Sequence, residues 1–306
     1  MKSGIINLHT LSVMRYAREL SNRNTISCDT VRNATTEMQE NHYTFKFVLR
    51  GQQDYLMAKR KVSIFPDSFL FLPPGTNYTS VIDSYDPVDI LSVSVSANFL
   101  SDFHSSYYSR TDLLSGVAES NNEIPEVLES FYPFSGDMRF TVMHLYQQLI
   151  EGEADELLIN EYLHHCLLNF YRIRGREVNS RMERLGALKA STRQELFKRL
   201  ILAKEFISNN YNKKFNLNDV ARFSCLSVNH LLRTFKEAYG VSPYQFLTQV
   251  RLERAKYFLE HADYQIAYTS MMVGFESVSS FIRVFKSTFN ITPRRYKSSF
   301  SINKPC

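Results

Sequence analysis

The sequence predicts an α+β protein of two domains, a strand-rich N-terminal domain ending in a helical hairpin and an all-α C-terminal domain. Three observations predict it. Apolar residues alternate with period two in the front half, and they recur at three and four from about residue 137. In the last third, one pattern of short helix, turn and longer helix occurs twice. A length of 306 residues also exceeds the usual size of a single domain.

The strands come first. Tyr43, Phe45, Phe47 and Leu49 alternate with Thr44, Lys46, Val48 and Arg50 and stop at Gly51, the signature of a half-buried strand. Phe65-Pro66-Asp67-Ser68 and Pro73-Pro74-Gly75 are turn signals, and Phe69-Leu70-Phe71-Leu72 between them reads as a short buried strand. Leu91, Val93 and Val95 alternate with serines in the same way. Short strands joined by short turns point to an antiparallel sandwich or barrel.

The hairpin follows, over about 137–173. Val142, Leu145, Tyr146 and Leu149 form one apolar stripe, and Leu157, Leu158, Tyr162, Cys166 and Phe170 form another after Glu151-Gly152. The stripe serves either to cover the barrel or to join two copies of the chain. Residues 1–175 are thus read as one domain, 176–192 as a polar linker and 193–300 as the second domain.

The second domain repeats itself. At an offset of 50, Ser227–Phe246 pairs with Ser277–Tyr296, matching Arg233 with Arg283, Phe235 with Phe285, Lys236 with Lys286 and Pro243 with Pro293. Upstream the offset is 49, so the second copy holds one extra residue near Gly274-Phe275. Asn216 and Ser227 read as helix caps. Gly240 reads as a left-handed stop, and Leu231 and Phe235 as the inward face. Two helix-turn-helix motifs result, over 216–240 and 265–290. Ser242-Pro243 with Gln245 starts a connecting helix to about His261, on which Arg251, Arg254 and Lys256 are expected to face solvent. A helix of roughly 18 residues spans about 27 Å, which suits two helices set about one duplex turn, roughly 34 Å, apart.

Charge divides along the same line. Residues 1–180 hold 15 Lys+Arg against 22 Asp+Glu, a net of −7, whereas residues 181–306 hold 21 against 9, a net of +12. A polyanion partner for the back half fits, though a basic domain that is merely soluble has the same composition. The N-terminus shows no signal-peptide core and no long apolar run suits a membrane span. Cys28, Cys166, Cys225 and Cys306 are scattered without metal-ligand spacing, so a reducing cytoplasm fits best, with neither disulfide nor metal. No phosphate loop or nucleophile motif is present, and no catalytic residue or cofactor is expected.

Residues 195–298 resemble the DNA-binding domain of AraC/XylS-type regulators. The likeness is carried by Arg251–Glu260, by Val273-Gly274-Phe275-Glu276-Ser277, by Phe281–Lys286 and by Ile291-Thr292-Pro293-Arg294-Arg295-Tyr296. It implies a sequence-specific transcription regulator, commonly an activator, that grips two adjacent major-groove segments of double-stranded DNA and works with RNA polymerase. By this resemblance, Asn229, Leu232 and Arg233 would read bases in the first motif, and Val278, Ser279, Ser280 and Arg283 in the second. Lys236, Lys286, Arg294 and Arg295 would meet phosphates. Arginine can hold guanine, and asparagine adenine, by paired hydrogen bonds. Cys225 departs from the glycine the family often has in the first turn.

The strands together with Pro66-Asp67-Ser68-Phe69 and Pro73-Pro74-Gly75-Thr76 resemble the cupin-like barrel that often precedes this domain. That resemblance implies a small-molecule effector or a homodimer. Metal-binding cupins carry a histidine set. Here only His42 lies near its first position, Asn77-Tyr78 stands at a later one, and the adjacent His164-His165 pair points in two directions. Two alternatives remain: a cupin-type enzyme with a DNA-tethering tail, and a non-specific architectural DNA-binding protein.

Overall fold

The computed structural model describes residues 12–58, 60–115, 130–186 and 189–301. Most of the N-terminal stretch read for a leader, and Cys306, lie outside these. The chain forms two compact units, Met1–Ser180 and Arg181–Cys306. The first is a mixed sheet-and-helix unit and the second is helical.

In the first unit the strands are β1 (Ser12–Glu19), β2 (Thr25–Gln39), β3 (Tyr43–Arg50), β4 (Gln53–Met57), β5 (Arg60–Ile64), β6 (Ser68–Leu72), β7 (Asn77–Val95) and β8 (Phe131–Pro133). All pairings are antiparallel. The long ribbon β2/β7 organises them. Its outer half, Asp89–Val95 of β7, pairs with β3, which continues to β6 and β8. Its other half, around Thr79–Val81, pairs with β4 and so with β5. The ribbon breaks register between Val31 and Asn33, where β7 carries its partner from Asp83 to Val88. A bulge of this kind bends a strand pair. The described pairings do not close the sheet into a ring.

Gly51 makes the tight link from β3 to β4. Its φ is +92°, and an added Cβ would lie 2.7 Å from a Val88 methyl carbon, so no other residue fits without displacement. Both turn signals hold: Ser68 N donates to Phe65 O at 3.0 Å, and Thr76 N to Pro73 O at 3.4 Å.

One face of the sheet packs on helices. These are α1 (Ala97–Ser115), α2 (Gly136–Glu151) and α3 (Glu156–Arg174). Gly152 ends α2 at φ 76°, and the Asp155 side chain caps α3 by accepting from Leu158 N. The core here is aromatic: Phe45 lies 4.2 Å from Phe71, and Phe71 4.3 Å from Phe170, between ring centroids. Each such buried ring contributes about 1.5–3 kcal/mol. Leu145, Leu149, Cys166 and Phe170 reach this core, which accounts for much of the hairpin's apolar stripe. Cys166 is fully buried, and burial pushes its thiol up to about 12.

The opposite face carries a second core, in which Val48, Leu70 and Leu72 meet Tyr55, Val62, Ile64 and Ile82. β3 is therefore buried on both faces rather than one. Phe45 and Phe47 enter the helical core, and Val48 enters the second. Thr44 and Lys46 are buried too. The period of two separates apolar from polar interior here, not interior from water. A five-residue π-helical stretch, Gly175–Asn179, and α4 (Ser180–Glu183) follow α3, so the polar stretch read as a linker begins in helical form.

The second unit holds α5 (Ala190–Asn209), α6 (Leu217–Phe223), α7 (Val228–Tyr239), α8 (Pro243–His261), α9 (Ile266–Met272), α10 (Val278–Phe289) and α11 (Pro293–Ser301). The pair α6–α7 and the pair α9–α10 have helices of equal length, 7 and 12 residues. Ser224–Ser227 links the first pair and Val273–Ser277 the second, so the extra residue falls in the second turn, as the offsets require.

Candidate nucleic-acid interface

Local chemistry sets both pairs. Asn216 and Asp219 cap α6 reciprocally: Asn216 N donates to Asp219 Oδ2 at 2.9 Å, and Asp219 N to Asn216 Oδ1 at 3.1 Å. Ser227 Oγ accepts from His230 N at 3.3 Å to open α7, and Ser277 Oγ accepts from Ser280 N at 3.2 Å to open α10. Gly240 and Asn290 end these helices at φ 75° and 57°. Both turns need a left-handed residue. Gly274 supplies it in the second at φ 87°, and Cys225 in the first at φ 55°. The turn geometry thus survives without glycine, at a cost of about 1 kcal/mol or more.

The inward faces are apolar. Leu231, Phe235 and Ala238 of α7 are buried, as are Phe281 and Phe285 of α10. On the outer face of α7 the structure exposes Asn229, Arg233 and Lys236 and leaves Leu232 partly covered. On α10 it exposes Val278, Ser279, Arg283 and Lys286, with Ser280 partly covered. Arg294 and Arg295 are exposed on α11. Asn229, Leu232, Arg233 and Lys236 therefore share one face of α7, whereas Val278, Ser279 and Ser280 follow one another around the first turn of α10. Arg233 Nε lies 3.9 Å from Glu237 Oε1 one turn on, a weak exposed pair that another acceptor can displace. Arg222 at the end of α6 and Lys213 are also exposed; sequence reasoning passed over both because neither lies in the repeated segment's longer helix.

α8 ties the pairs together. Its capping box has the predicted form, with Ser242 N donating to Gln245 Oε1 at 2.8 Å and Pro243 at the first position. Its basic residues differ from expectation. Arg254 is buried at 6% exposure beside the Tyr211 ring. Arg251 donates from Nε to Tyr211 O at 2.7 Å and stacks its guanidinium 5.9 Å from the Phe275 ring. Lys256 sits 5.0 Å over the Phe289 ring. The arginines are used up in holding chain to chain, because α8 packs against α5, α7, α9 and α11 and has little open face. Gly274 closes on the same spot: a Cβ there would lie 2.9 Å from Tyr211 O. Burial lowers the Arg251 pKa, partly opposed by Glu276.

Among the described residues the histidines form no cluster. His164 Nδ1 donates to Asn160 O at 3.0 Å and meets the Phe99 ring edge-on, His165 pairs with Glu161, and His42 is half-buried. Among the described residues no three His, Cys, Asp or Glu gather as a metal site. No described helix is long and apolar enough to cross a membrane.

Comparison with known proteins points the same way. The family described as a helix-turn-helix domain matches residues 220–299. The chain is 25% identical over 162 residues to the lactose operon transcription activator of Staphylococcus xylosus, covering 53% of this chain and 54% of that one. It is 30% identical over 100 residues to the Msm operon regulatory protein of Streptococcus mutans, covering 33% and 36%. It is 26% identical over 197 residues to the transcriptional activator RhaS of Escherichia coli, covering 61% and 66%. The chain thus spans about half the length of the first of these relatives. With its repeated caps, left-handed turns and basic outer faces, the segment 220–299 of this chain matches a helix-turn-helix domain.

Proposed function

We propose that the protein is a sequence-specific DNA-binding transcription regulator that acts as an activator. It reads adjacent major-groove segments of double-stranded DNA with α7 and α10. The observation that carries this is the duplicated pair of elements, each presenting an exposed arginine and lysine at equivalent positions, Arg233 and Lys236 in one and Arg283 and Lys286 in the other. Asn229, Leu232, Arg233, Val278, Ser279, Ser280 and Arg283 read bases. Lys236, Lys286, Arg294 and Arg295 neutralise phosphates, which fixes register without carrying sequence. The three relatives' names, two activators and an operon regulator, support activation; work with RNA polymerase in the cytoplasm is part of the same proposal. The first unit is a cupin-like sensor that takes a small-molecule effector or pairs two copies. A bent two-faced sheet with a cavity on one face supports this reading.

The test is selection of random duplexes on the full-length protein, followed by sequencing. A bipartite motif with two short blocks about one helical turn apart, roughly 10 base pairs, is the expected result. Binding that only fades with salt and returns no motif would overturn the claim of sequence reading.

A further inference from the structure

The sheet face away from the helices opens into a cavity of about 400 Å³, within the range of small-molecule sites, about 300–1,000 Å³. Its wall is built by alternation. On β2, Ile26 and Cys28 point into the helical core, so Thr25, Ser27 and Asp29 point the other way. On β7, Leu91 and Val93 enter the core, and Ser92 and Ser94 line the cavity. The serines that gave this strand its period thus face a partly open polar space.

Charge within the cavity is unequal. Lys46 and Glu40 are both buried and pair at 2.9 Å. Glu40 also accepts from Thr44 and from the Tyr78 hydroxyl. As a pair the two are neutral, the ammonium charge being offset by Glu40. Asp29 is different. It is half-buried on the wall, and no described residue gives it a hydrogen bond or a close ion pair. Burial raises its pKa, with the more distant Lys46 opposing this. The cavity therefore carries one net negative charge. It also carries hydroxyls that can accept hydrogen bonds as well as donate them. A carboxylate or phosphate would meet that charge with no uncompensated cation beside it, since Lys46 is offset by Glu40. A neutral molecule would leave Asp29 desolvated without a counter-ion, an unfavourable state.

We propose that this cavity binds a small organic cation, a primary ammonium bearing further hydrogen-bond donors, with Asp29 as its counter-ion. The assignment rests on the reading of the first unit as the sensor. Serine and threonine hydroxyls take up the remaining donors.

Three probes of one size separate the possibilities: glucosamine, glucose and glucuronate, titrated calorimetrically into the full-length protein at neutral pH. Glucosamine is expected to bind at least tenfold more tightly than glucose, and glucuronate weakest. In Asp29→Asn the advantage of glucosamine over glucose is expected to vanish, while Asp29→Glu keeps it. Asp29→Asn removes a desolvated charge, so its unliganded melting temperature should not fall, which separates loss of recognition from loss of fold. No preference for the ammonium, tightest binding of glucuronate, or a preference that survives Asp29→Asn would each overturn the proposal. Duplex selection on the same preparations reports DNA reading independently. Failure of the cavity assignment with an intact bipartite motif refutes only the ligand class, whereas loss of the motif refutes the regulator reading.

Discussion

At the scale of single residues, a few side chains stand in unusual conformations or environments. Cys225 holds φ 55° where glycine is at ease, so Cys225→Gly should stabilise the second unit by up to about 1 kcal/mol, read as a higher melting temperature with DNA binding retained. Gly274→Ala should do the reverse. It needs φ 87° and sets a Cβ 2.9 Å from Tyr211 O, and a thermal melt of the variant against the parent measures the loss. Arg283→Ala should weaken binding to the selected duplex by about 1–3 kcal/mol and leave salt-sensitive binding to random duplex nearly intact; equal losses on both would make Arg283 a phosphate contact. In the first unit, burial alone would raise the Glu40 pKa, but Lys46 and the hydrogen bonds from Tyr78, Lys46 and Thr44 outweigh it and hold it below its usual 4.5. Its carboxylate therefore stabilises the fold above that value, and the contribution is lost as pH falls through the lowered one. Denaturant melts between neutral and strongly acidic pH should show the loss, and Glu40→Gln should abolish the dependence it causes.

Among the elements, legibility followed repetition. The second unit could be read almost whole, since Ser227 and Ser277, Phe235 and Phe285, and Pro243 and Pro293 each report the other. Caps at α7 and α10 are worth about 1 kcal/mol each, and Ser227→Ala and Ser277→Ala should cost similar amounts in chemical denaturation. The sheet was half legible. β3 and β6 stood out because their apolar residues are bounded by turns. β2, β4 and β5 did not, because Thr25, Ser27 and Asp29 line a polar interior and read as a surface. α1 and β1 carried too little apolar period to be seen. Arg254 was placed in solvent because its neighbours on α8 are polar, whereas the burial of α8 comes from four other helices that sequence spacing does not reveal. The outer faces of α7 and α10 were legible for a simpler reason: an inward stripe at three and four leaves only one place for the rest.

For the molecule as a whole, charge is the organising quantity. The acidic front half and the basic back half divide the work, so DNA affinity should fall steeply with salt. Each phosphate contact adds about 0.9 to the slope of log affinity against log salt. Replacing both Lys236 and Lys286 with glutamine should therefore lower that slope by about 1.8, without changing the motif recovered by selection; an unchanged slope would remove both lysines from the phosphate set. The two pairs of elements share a scaffold but not a surface. Asn229, Leu232 and Arg233 stand on one, and Val278, Ser279, Ser280 and Arg283 on the other. On the proposed reading, the unlike halves would lay one chain on a duplex with a head and a tail. A site turned end for end beside a promoter would present α7 where α10 had been, so the bound regulator would point away from the start it had faced, and orientation itself becomes part of the message that the DNA carries.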